Sequence, residues 1–180
     1  MTAFGAILSS QALSEQIIIT AEQFRVGGTA PSSVTIGTTP TVDALQFSTT
    51  AQLVSTFFVL PFNMDRTVNP ELVLVWSLAA TEINLDELSV TLDYTAPIDL
   101  STGSGIAKTS TQLTNNLPVT TANGLAIGDI YSQTFAFAVA DATNPLANAI
   151  GLAVEFHLTN TVGVGLIDLI GACLGYERLH

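Results

Sequence analysis

The residues able to do chemistry are few and scattered. His157 lies within an alternating segment, on the same face as Glu155 and Thr159, and His180 ends the chain. Neither sits in an H-E-x-x-H pattern, which would place two imidazoles on one helical face around zinc. One internal histidine without a partner reads as an exposed or interfacial strand residue, not as a general base. Cys173 falls in an apolar stretch and reads as a small core hydrophobe. A reactive thiolate needs positive surroundings, and only Arg178 is near it in sequence. Glu82, Asp86 and Glu87 cluster before an alternating segment. They raise a cation site, but the D-x-D-x-D-G loop of calcium binding is missing, so a solvated turn is expected. Gly103-Ser104-Gly105 lacks the phosphate-loop spacing, its following lysine and the G-x-S-x-G elbow of a nucleophile. Trp76 stands on an apolar face, where a lone tryptophan is core more often than a sugar platform. The expectation is therefore no catalytic residue, no cofactor and no metal ligand.

Composition narrows the classes further. The chain has 180 residues, enough for one domain or one domain with an arm. It is 48% hydrophobic and 11% charged, which excludes a mainly disordered state, since disordered chains are charge-rich and apolar-poor. Four basic residues stand against 15 acidic ones, a net charge of -11. Arg25, Arg66, Lys108 and Arg178 are too dispersed to form the basic stripe that nucleic acid or an anionic membrane requires. A single cysteine permits no disulfide within the chain. The 24 threonines and one lysine favour strands over exposed helices. So little charge suits a surface covered by neighbours in an assembly; the alternative is a greasy monomer kept soluble by its net negative charge. Met1 to Ser10 carries no basic residue ahead of its apolar ones, unlike a secretory signal. Val162 to Leu174 is interrupted by Asp168 and falls short of the ~20 residues of a spanning helix; it reads as a buried strand.

The elements that must carry these residues are strands. Met1 to Gln16 has room for one short helix, and Arg25 to Pro40, with Gly27-Gly28, Pro31 and Gly37, reads as extended and turn-rich. Regular strands begin near Asp43. Leu53 to Phe62 is almost continuously apolar and is expected to be buried on both faces. Leu72, Leu74, Trp76 and Leu78 share one face, and Leu88 to Tyr94 alternates strictly, as in a half-exposed antiparallel strand. Thr109 to Thr114 and Pro118 to Thr121 are weaker, polar candidates. Tyr131 to Val139, Leu152 to Leu158 and Ile167 to Tyr176 complete the set. Trp76, Phe58, Phe137 and Phe156 are the expected core aromatics. Short strands with turns between them predict an all-β fold: an antiparallel β-sandwich of jelly-roll type over 43–180, preceded by an extended arm over 1–42.

From Phe57 to Tyr176 the order of features resembles jelly-roll structural proteins of tailed bacteriophages. It runs through Pro61-Phe62, Asp65, Asn69-Pro70, the Leu72 to Trp76 strand, and Leu88 to Tyr94 ending in an aromatic. A Thr-rich connection, Gly128-Asp129, Phe135-Ala136-Phe137, Asn144-Pro145, and Leu169, Gly171, Leu174, Gly175, Tyr176, Glu177 and Arg178 follow. Where those proteins often carry an Asp-rich loop, Thr159 to Gly165 is neutral.

The resemblance implies a non-enzymatic virion protein, a homotrimer on the capsid surface. Its role would be that of a cement or decoration protein clamping neighbouring copies of the viral major capsid protein. A chain this short has no room for the shaft of a fibre, which favours cement over an appendage. Under that reading the arm orders on its partner by adding a strand to a sheet edge. Ile17, Ile18, Ile19, Thr20, Phe24, Val34 and Ile36 are then the partner-binding candidates. Two alternatives stand beside it: the head domain of a tail fibre or appendage, and a lectin-like carbohydrate-binding module. The latter would group exposed aromatics with polar residues, whereas Tyr94, Tyr131 and Tyr176 are spread through the chain.

Overall fold

Period-two alternation puts one set of apolar side chains on one face of each strand, and two such faces bury one another only by stacking. The computed structural model describes residues 15–49, 51–79, 88–96, 110–117, 127–158 and 167–179. Among these residues the strands are β1 (Glu15–Thr20), β2 (Arg25–Gly28), β3 (Ser32–Ile36), β4 (Val42–Phe47), β5 (Gln52–Val59), β6 (Glu71–Leu78), β7 (Leu88–Thr95), β8 (Thr111–Leu117), β9 (Ile130–Ala136), β10 (Gly151–Leu158) and β11 (Ile167–Tyr176). One 3-10 turn, Ala21–Gln23, joins β1 to β2. A six-stranded sheet runs β3-β4-β11-β6-β9, with β1 also on β11; a five-stranded sheet runs β2-β5-β10-β7-β8. The named strands pair antiparallel throughout. The fold is an antiparallel β-sandwich of jelly-roll type.

The core lies between the sheets. Phe58, Trp76, Phe137 and Phe156 are all buried in it, as expected. Phe47 meets Phe156 edge-on at 5.3 Å, and Tyr94 meets Phe137 at 4.9 Å, the geometry in which ring edge and ring face attract. Trp76 packs on Tyr131 at 5.0 Å, and Cys173 is buried.

Two expectations need correction. β5 is not buried on both faces: Val54 and Phe58 point inward, while Phe57 and Val59 are exposed. The strand buried throughout, Leu72 to Leu78, is β6, which lies between β11 and β9. The second concerns residues 15–36, read as part of an arm. β1 and β3 join the six-stranded sheet and β2 the five-stranded one. Gly27 and Gly28 are paired within β2 opposite Leu53 and Gln52, and Pro31 sits between β2 and β3 without occupying a ladder position. At Gly171 a Cβ would lie 2.6 Å from the Ile19 carbonyl oxygen, so only glycine lets β1 approach there. The Tyr176 hydroxyl donates to Glu15 Oε2 at 2.5 Å, and Arg178 Nη1 to Glu15 Oε1 at 2.9 Å. Burial, then the Glu15 carboxylate, pushes the Tyr176 hydroxyl up to about 12. Of Met1 to Gln16, expected to have room for one short helix, Glu15 and Gln16 open β1, and residues 1–14 lie outside the described residues. So do the Glu82–Asp86–Glu87 turn, Gly103-Ser104-Gly105 and Thr159 to Gly165.

Candidate functional site

The outer face of the five-stranded sheet carries a groove. Strand register builds it: Arg25 pairs with Ser55, Ser55 with Glu155, Glu155 with Asp93 and Asp93 with Gln112. One cross-strand row therefore spans all five strands, and all five side chains are polar. Because side chains alternate, a row shares one face, and here it faces away from the core that Val54, Leu92, Val154 and Phe156 fill. The flanking row is Phe57, Ala153 and Thr95. Arg25, Ser55, Glu155 and Asp93 of the row, this flanking row, and Gln23 and Ser110 line a groove of about 760 Å³.

Charge is uneven along the row. Arg25 stands at one end, while Glu155 and Asp93 face one another directly on paired strands, an arrangement that is repulsive unless compensated. His157, two residues on from Glu155, brings Nδ1 to 3.8 Å from Asp93 Oδ2. Ligand-bearing atoms of Asp93, Glu155 and His157 all lie within 4.8 Å of one another. Along the sequence His157 stands without a convincing ligand set. In the fold, Asp93 arrives through strand pairing and Glu155 on the histidine's own strand face. The other Asp93 oxygen, Oδ1, accepts from Ser110 Oγ and from Gln112 Nε2, both at 3.5 Å.

Local structure holds this end of the groove. Asp141 Oδ1 accepts the Asn144 and Thr143 N–H groups at 2.6 and 2.9 Å and the Thr111 hydroxyl at 3.0 Å. The Asn144 bond, chief among these, holds the Asp141 carboxyl below its usual range. Asn144 in turn accepts from the Ala96 N–H and donates to Thr111. The loop thus ties the end of β7 to the start of β8, where Ser110 and Gln112 sit.

At the other end, Phe57 stands 52% exposed beside Val59, Phe62 and Ile150, which are exposed as well. These line an adjoining apolar cleft of about 500 Å³. Arg66 supports its wall: Nη1 donates to the Leu146 and Ala149 carbonyls and Nη2 to Pro61, at 3.1 to 3.2 Å. Sequence reasoning missed Phe57 as a surface aromatic because it lies in a continuous apolar run.

The seven partner-binding candidates fall on the opposite sheet and its approach. Ile19 and Phe24 are covered by the chain's own core, with Ile17 packed against it. Ile18 is 56% exposed, and Thr20 is exposed. Both line a cleft of about 580 Å³ with Val42 and Ile170. Val34 and Ile36 are half-buried on β3, which ends the strand path of its sheet. Trp76 is 4% exposed and is core.

No protein-family model matches the sequence, and no curated protein does either. Solved structures match by fold. The xylan-binding module CBM15 superposes at a TM-score of 0.50 with 11% identity, over 92% of this chain and 100% of that one. The CBM22-1–GH10 modules of Clostridium thermocellum endo-1,4-beta-D-xylanase 10B, complexed with xylohexaose, match at 0.50 with 9% identity. That match covers 88% of this chain and 27% of the xylanase chain. The enzymatically active domain of bacteriophage CBA120 tailspike protein 4 matches at 0.42 with 13% identity, over 93% of this chain and 20% of that one. The two matches at 0.50 show a shared β-sandwich fold.

Proposed function

We propose that the outer face of the five-stranded sheet binds an extended carbohydrate chain, and that the protein acts by binding without catalysis. One observation carries this: a groove floored by four residues of one polar row, Arg25–Ser55–Glu155–Asp93, and edged by the exposed ring of Phe57. Sugars offer hydroxyls around apolar C–H faces. The row supplies charged and neutral hydrogen-bonding partners, and the ring supplies the apolar platform. Three strand spacings of about 4.8 Å make the lined part of the row about 14 Å long, enough for a short oligosaccharide. The xylan-binding module of like fold supports xylan as the first candidate. The test is affinity electrophoresis of the full chain through gels containing soluble xylans and β-glucans. Retardation by one of them, abolished in Phe57→Ala, is the expected result; equal mobility in every gel removes the reading.

A second reading, a virion structural protein acting as capsid cement or as an appendage head, is favoured by separate surfaces. Ile18 and Thr20 line an apolar cleft beside β1, and β3 offers a strand edge, a surface suited to a neighbouring subunit. Under this reading the chain is a homotrimer that contacts the major capsid protein. Light scattering that returns a mass near 18.8 kDa at micromolar concentration refutes the trimer.

A further inference from the structure

We propose that Asp93, Glu155 and His157 form a binding site for one divalent first-row transition-metal ion, where the groove floor at Asp93 and Glu155 meets His157. Imidazole with two carboxylates is a donor set suited to Zn²⁺ and its neighbours, and three protein ligands leave further positions open for water or another oxygen ligand. Geometry fits. Ligand atoms about 2.1 Å from one ion stand about 3.4 Å apart in a tetrahedral arrangement and about 4.2 Å apart when opposed. The His157 Nδ1 to Asp93 Oδ2 separation of 3.8 Å falls in that span. The three ligand atoms all lie within 4.8 Å of one another, so any pair beyond about 4.2 Å must draw together on binding the ion.

Two further features point the same way. Glu155 and Asp93 are directly opposed in register, and a cation between them turns a repulsive pair into a chelate. Arg25 does not supply that cation: it lies two strands from Glu155 and three from Asp93, and among the described residues no ion pair joins it to either. Asp93 also has its second oxygen engaged by Ser110 and Gln112, which aims Oδ2 at His157 in the way outer hydrogen bonds orient metal ligands. The inference stands apart from the carbohydrate reading, because a metal titration needs no sugar.

The full chain, stripped with EDTA and dialysed, is titrated with Zn²⁺ by calorimetry, and with Co²⁺ by visible absorption. Expected are one ion per chain and a d–d band from Co²⁺. Affinity should fall at least tenfold in each of His157→Gln, Asp93→Asn and Glu155→Gln, with His180→Gln unchanged. The three side chains are only half-buried, and circular dichroism confirms that each variant is folded. Absence of saturable binding leaves an ordinary histidine–aspartate pair and overturns the proposal. Binding that persists in folded His157→Gln and Asp93→Asn, or that is lost in His180→Gln, places the ion elsewhere and overturns it equally.

Discussion

The ring of Phe57 lies over Gly151, on the neighbouring strand β10. A Cβ at position 151 would run into Cζ and sit 2.8 and 2.9 Å from Cε1 and Cε2. Glycine there gives the ring its resting place at the edge of the groove. Gly151→Ala should therefore displace the ring while leaving the sandwich folded. The expected outcome is at least a tenfold loss of glycan affinity by calorimetry with a nearly unchanged melting temperature. Full affinity in that variant would separate Phe57 from the site.

The exposed and the buried aromatic should behave differently. Trp76→Ala removes a ring buried against Tyr131 and should cost about 3–5 kcal/mol in urea unfolding. Phe57→Ala removes a ring already half in solvent and should stay within about 1 kcal/mol. Similar losses in both would place Phe57 in the core.

Two aspartates should give pH dependences of opposite sign. Burial raises the Asp168 carboxyl, though Gln46 Nε2 donates to it at 2.9 Å. Ionising Asp168 thus costs the folded state stability as pH rises from the unfolded value of 3.8 through the raised folded one. Asp168→Asn should raise the melting temperature at pH 7, with the gain vanishing below pH 3.8. The Asp141 carboxyl is lowered, chiefly by the Asn144 N–H. Its stabilisation is present above the unfolded value and is lost as pH falls through the folded one. Asp141→Asn should lower the melting temperature at pH 7, and the deficit should fade in acid. Melting curves at about pH 2.5, 4 and 7 check both signs.

Arg66 holds three backbone carbonyls from two loops, and burial lowers its guanidinium's pKa. Arg66→Met keeps most of the side chain's length and strands those acceptors. A loss of about 2–3 kcal/mol is expected from denaturant unfolding: hydrogen bonds to charged groups are worth up to about 1.5–3 kcal/mol each, and at this half-buried site water replaces part of the three. Arg66→Lys should recover only part of it, as an ammonium lacks the planar fork.

Much of the sandwich was legible because alternation survives wherever one face of a strand is open. Leu152, Val154 and Phe156 alternate with Ala153, Glu155 and His157, and the structure buries the first set more deeply. β5 misled because Phe57 and Val59 are apolar residues placed on a surface, and a continuous apolar run does not distinguish that from double burial. β1 to β3 were hidden by Gly27-Gly28, Pro31 and Gly37, which punctuate strands too short to show a period. The site was less legible still. Asp93 and Glu155 are far apart along the chain and meet only through the β7–β10 register. The sole signal in the sequence was Glu155 and His157 two residues apart on one strand face.

The most direct test of the central claim is amide chemical-shift mapping of the labelled full chain with the glycan that retards it in gels. Shifts should concentrate at Arg25, Ser55, Phe57, Ala153, Glu155 and Asp93, in one band across the five-stranded sheet. Shifts confined to the six-stranded sheet, or no shifts at saturating glycan, would contradict the account.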